Sequence, residues 1–189
     1  MSAYADIEIK RSFGVLFIAV ALAILFAAPL SLLLSNSHLP YFYYLVLWLG
    51  SFCLSLGIVI YKRRKVFSSV RLRMKKSLGW PLQIKIINGL CWAGPFSFIP
   101  VFHQLNPYLI LLGIGLGNIS TYFFIKKYSN GNNKEQLLVG LIAICIIPIS
   151  ILVDNTIFSK NYEVALLFSR LSIAASYGTG GVYALIGRQ

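Results

Sequence analysis

Five acids, two histidines and one arginine set within an apolar run are the residues whose chemistry could define this chain. Asp6, Glu8, Glu135, Asp154 and Glu163 all fall outside the apolar cores of the runs, so no pair of carboxylates is set for a proton relay at membrane depth. His38 and His103 sit at the rims of apolar runs, too shallow to hold a haem between helices. The chain has no HExxH for metal-assisted hydrolysis and no GxSG with a histidine base. Cys53, Cys91 and Cys145 lie singly within apolar runs and read as small packing residues. No catalytic residue, metal site or cofactor is expected, and an intramembrane enzyme ranks last among the function classes.

Arg170 is different. It lies in FSRLSIAASYGTGGVYALIG, where an arginine at mid-membrane costs roughly 2.5–3.5 kcal/mol. It stands seven residues beyond Glu163, a depth of roughly 10 Å, and Asn118 lies roughly 15 Å deep in a neighbouring run. Ser120 and Thr121 accompany Asn118, and Ser172, Ser176, Tyr177 and Thr179 follow Arg170. The expectation is a polar cluster between the fourth and sixth spans with Arg170 as its only formal charge. Such a cluster would bind an anionic or carbonyl-bearing ligand, or receive a carboxylate from a partner subunit. The competing expectation is that Arg170 extends outward to Glu163, Asp154 or lipid headgroups. SYGTGG is no phosphate loop, because it lacks the lysine and the strand-to-helix setting.

The elements that must position these residues follow from composition. Of 189 residues, 58% are hydrophobic and 12% charged, which excludes an ordinary soluble domain. Windows of about 20 residues give an all-α, polytopic membrane protein of one domain, residues 1–189, with six spans at 13–34, 41–61, 84–103, 108–127, 137–153 and 163–187. The third carries Asn88, Pro95 and Pro100, marking it as kinked, short or partly re-entrant. The first is too long for the core of a cleavable signal, and Pro29 follows Ala27 and Ala28, so it is expected to be retained.

Charge gives a direction. Lys10 and Arg11 precede the first span, and Lys62, Arg63, Arg64, Lys65, Arg71, Arg73, Lys75 and Lys76 fill the second connection. Lys126, Lys127 and Lys134 flank the fourth connection, and Arg188 ends the chain. The other connections hold only Lys160. Both termini are therefore expected in the cytoplasm. The aromatic rims agree: Tyr41, Phe42, Tyr43, Tyr44, Tyr108 and Tyr162 at the outer interface, Trp80, Tyr122, Phe123 and Tyr128 at the inner one. Within the second connection, Val66, Val70, Met74 and Leu78 recur every four residues beside Phe67, the pattern of a short amphipathic helix on the cytoplasmic leaflet. Its basic residues would meet anionic headgroups or an acidic partner. The net charge of +12 comes without a stacking platform or recognition module, so nucleic acid is not an expected partner.

Small residues mark helix packing. Ala19, Ala23 and Ala27 recur every four residues, Gly113, Gly115 and Gly117 include a GxxxG, and Gly178, Gly180 and Gly181 follow Ser176. Together these features point first to a non-catalytic membrane subunit that packs and docks through small-residue faces and the basic loop. The second choice is a small-solute transporter or substrate-binding transport subunit. In size, span count and the Ala19-xxx-Ala23 spacing the chain resembles the substrate-binding membrane component of energy-coupling-factor vitamin transporters, but it carries no binding motif of that family.

Overall fold

The computed structural model describes residues 3–37, 39–62, 66, 68, 70–71, 75, 77, 79–129, 131–157 and 161–186, with side chains from residue 8 onward, except at 36. Their regular structure is helical throughout: α1 (Ala3–Asn36), α2 (Tyr41–Lys62), α3 (Leu82–Ser97), α4 (Asn106–Ser129), α5 (Lys134–Thr156) and α6 (Tyr162–Ile186). Four of them, α1, α2, α4 and α5, contain stretches long and apolar enough to cross a membrane. A single turn of 3-10 helix, His103–Leu105, leads into α4.

Two expected spans depart from this description. The third stops at Ser97 rather than 103, because Pro95 lies in the last turn and residues 98–101 form turns. At 16 residues it is about 24 Å long, short of the roughly 30 Å hydrocarbon core. The sixth is a full helix of 25 residues, but it is not among the four apolar enough to cross. Burial explains its polarity. Ser169, Ser172, Ser176 and Tyr177 are all buried, because α6 packs against α1, α4 and α5 at once.

The packing order runs α2–α1–α6–α5–α4–α3, with α4 also touching α6. Close approaches fix the directions. Gly14 of α1 faces Gly181 of α6, Gly115 of α4 faces Gly140 of α5, and Gly180 of α6 faces Val139 of α5. These neighbours are antiparallel, so α1, α3 and α5 run one way and α2, α4 and α6 the other. The bundle thus has a terminal end, where α1 begins and α6 finishes, and a far end.

The small residues are spent inside this arrangement. Ala19, Ala23 and Ala27 are at most 2% exposed. Gly113 and Gly117 take the rings of Phe96 and Trp92 from α3, while Gly115, a half-turn round, takes Ile144 from α5. By contrast α2 buries only Ser51 and packs chiefly on α1. Its Tyr41, Phe42, Leu49, Leu54, Ile58 and Tyr61 are exposed.

In the basic connection, Val66, Ser68, Val70, Arg71, Lys75 and Ser77 are helical. Val66 is 4% exposed, and Val70 packs against the hydrophobic core. That valine face therefore rests on the protein. Phe67, Met74 and Leu78, expected on the same face, lie outside the described residues.

Candidate functional site

The residues expected to form one cluster between α4 and α6 fall into three groups. Asn118 and Tyr177 do meet: Asn118 Nδ2 donates to the Tyr177 hydroxyl at 3.3 Å and to the Ile114 carbonyl at 2.9 Å. Both residues are buried, and the Tyr177 ring packs edge-on against Phe17 of α1 at 5.3 Å. Ser176, one residue back, donates to the Ser172 carbonyl at 2.8 Å, inside its own helix.

Ser120 and Thr121 face α3 instead. Their hydroxyls lie 2.8 and 3.1 Å from Asn88 Oδ1, and Trp92 Nε1 donates to Thr121 Oγ1 at 3.0 Å. Asn88 and Trp92 are thus polar contacts that seat the short α3 on α4.

Arg170 forms the third group. Its Nη1 donates to Ser31 Oγ of α1 at 2.6 Å, and Ser31 in turn donates to the Ala28 carbonyl at 2.7 Å. The guanidinium carbon lies 5.2 Å from the ring centroid of Trp48 on α2, a cation–π distance. Arg170 thus ties α6 to α1 and α2. The physical reason for missing Asn118 is directional: helical side chains lean toward their own N-terminus, and α6 begins at the far end. The arginine leans that way, two turns from the level of Tyr177.

The far end carries polar contacts that the sequence did not bring together. The Tyr108 hydroxyl donates to Asp154 Oδ2 at 2.6 Å, joining α4 to α5. Asn106 Nδ2 donates to the Tyr162 hydroxyl at 2.8 Å. His103 stacks on the Tyr162 ring at 4.6 Å, with its Nε2 3.2 Å from that hydroxyl. Between them opens a cavity of about 470 Å³ lined by Gln104, Leu105, Pro107, Tyr108, Asp154, Asn155, Tyr162 and Ala165. Asp154 Oδ1 is buried and has no hydrogen-bond partner among the described residues. Ser150 and Ser169 lie deeper, their hydroxyls 3.3 Å apart between α5 and α6. The sequence signals for this site were His103, placed at a rim, and the aromatic pair Tyr108 and Tyr162, expected at the outer interface.

At the terminal end, Lys62, Arg71 and Lys75 are exposed. Arg63, Arg64, Lys65, Arg73 and Lys76, assigned to the same headgroup or partner surface, lie outside the described residues. Trp80 Nε1 donates to Ser129 Oγ at 2.9 Å, tying the start of α3 to the end of α4. Glu135, ahead of the apolar run as expected, is fully buried where α5 begins. No group of three or more histidines, cysteines and acids suited to a metal ion occurs among the described residues.

These features define a helical membrane protein with four helices fit to cross the bilayer. The chain matches no family model, no curated protein and no solved structure.

Proposed function

We propose that this chain is a non-catalytic integral membrane subunit of a larger membrane complex, crossing the bilayer six times with both termini in the cytoplasm. The observation that carries this reading is the isolation of α2. A 22-residue apolar helix that buries one residue and packs chiefly on one neighbour is available to another chain along most of its length. Because the alanine and glycine faces are occupied internally, docking falls to the outward face of α2 and to the basic second connection. Acidic headgroups or an acidic partner segment would meet Lys62, Arg63, Arg64, Lys65, Arg71, Arg73, Lys75 and Lys76. The test is site-specific photo-crosslinking in native membranes with benzoylphenylalanine at Leu49 or Leu54, 57% and 66% exposed. A discrete adduct to a second polypeptide from both positions, and none from buried Ser51, is the expected result. Lipid adducts alone from all positions would sink the subunit reading.

A small-solute transporter or substrate-binding transport subunit is the second reading, and the far-end cavity favours it. Arg170 enters that reading weakly, since Ser31 and Trp48 engage it. A transporter would remain folded alone and gain stability from its solute, whereas a subunit would lose stability when stripped of its partner.

A further inference from the structure

We propose that the far-end cavity is a binding site for a primary ammonium group, with Asp154 as its counter-ion. This inference stands apart from the subunit reading, since a pocket can hold a ligand whether or not α2 meets a partner.

Three observations carry it. Asp154 is held by one oxygen only, through the 2.6 Å bond from Tyr108 to Oδ2. Its other oxygen, Oδ1, is shielded from water and has no donor among the described residues. A buried anionic oxygen without a donor has lost its hydration with nothing in return, the condition under which polar groups recruit a ligand or ion. Finally, Asp154 forms part of the wall of a cavity of about 470 Å³, within the roughly 300–1,000 Å³ range of small-molecule sites.

The chemistry selects the ligand class. An orphan acceptor asks for an N–H, which a primary ammonium supplies three times and a quaternary ammonium lacks. The outer torsion of an aspartate is broad, so a modest rotation with Oδ2 still near the Tyr108 hydroxyl turns Oδ1 to the incoming group. Gln104 and Asn155 add side-chain carbonyls to the wall, and the Tyr162 hydroxyl adds a further oxygen. A multivalent metal fits poorly, because Asp154 is the only acid among these lining residues. The volume exceeds what an ammonium needs, so the ligand carries more on its nitrogen. That is the chemistry of a free amine and equally of an ethanolamine phospholipid headgroup.

The experiment follows thermal unfolding of the full chain. One arm, in detergent, titrates ethanolamine hydrochloride against tetramethylammonium chloride at matched ionic strength. A second arm compares nanodiscs of phosphatidylcholine alone with nanodiscs containing phosphatidylethanolamine. A saturable rise in Tm with ethanolamine, about 5–10 °C at a hundredfold excess over Kd, and no rise with tetramethylammonium, is the expected result for a free amine. A rise only in the ethanolamine-lipid nanodiscs assigns the site to a headgroup. In either arm Asp154→Asn removes the rise and Glu163→Gln retains it. Asn155→Leu, at an exposed position on the wall, weakens it by narrowing the cavity with the carboxylate intact. No rise in either arm, or a rise of equal size in Asp154→Asn, overturns the proposal.

Discussion

Arg170 shows how a charge is kept in an apolar bundle by a hydroxyl and an indole. The guanidinium has five N–H donors, one of which reaches Ser31, and its plane is weakly hydrated enough to lie against Trp48. Because the Trp48 ring faces the guanidinium, Arg170→Met and Trp48→Leu should not be additive. We expect a coupling of about 1 kcal/mol in a double-mutant cycle read by thermal or denaturant unfolding in detergent. Additive effects would mean that Trp48 contributes nothing to holding Arg170 and that the Ser31 bond stands without it. Tyr177→Phe tests the second polar pair. It removes the acceptor for one Asn118 N–H at a buried position, and a loss of about 0.6 kcal/mol is expected, typical of hydrogen bonds between membrane helices. The sequence announced Arg170, Asn118 and Tyr177 through their polarity in apolar runs. It was silent on Ser31, since a single serine near a helix end carries no signal. Depth along a helix could be counted from residue numbers, but the lean of a side chain toward the helix start decides which level it reaches.

Helices were the most legible level, and their limits show why. The boundaries of α2 and α4 fall within two residues of those expected, because apolar content and aromatic rims change sharply there. The end of α3 was misjudged because Pro95 and Pro100 interrupt a run that stays apolar to Phe102. Glycine spacing told that helices approach closely without telling which ones do. The structure separates glycines that serve contacts from those that do not. A Cβ on Gly181 would stand 2.7 Å from Ile18 Cγ1 and 2.9 Å from the Gly14 carbonyl, whereas nothing lies within 4 Å of one on Gly57. Gly181→Val should therefore force α1 from α6 and destabilise by about 1–3 kcal/mol. Gly57→Ala should be neutral or stabilising by about 0.5–1 kcal/mol, since alanine narrows the unfolded ensemble and favours helix. Unfolding of the isolated variants checks both. A destabilised Gly57→Ala in membranes only, with the detergent value unchanged, would point to a partner helix packed against α2 at that glycine.

At the scale of the molecule, the antiparallel packing bears on how often the chain crosses the bilayer. α2 and α4 are both apolar enough to cross, and both run from the far end to the terminal end. Between them the chain returns from the terminal end to the far end through α3 and the turns after it. α6 likewise runs the length of the bundle, from the far end to a finish beside Gly14 of α1. Six crossings and four crossings then differ at defined residues. With six, Ser37 and Asn161 share the outer side and Asn132 faces the cytoplasm with both termini. If α3 and α6 failed to cross, Asn132 would join Ser37 outside and Asn161 would move in. In a background with Cys53, Cys91 and Cys145 replaced by alanine, single cysteines at these exposed positions are probed with a membrane-impermeant maleimide. Ser37→Cys and Asn161→Cys should label in intact cells, and Asn132→Cys only after permeabilisation. The reverse pattern at Asn132 and Asn161 would remove α6 from the membrane, and with it the reason for Arg170 to be tied to a hydroxyl and an indole rather than to water.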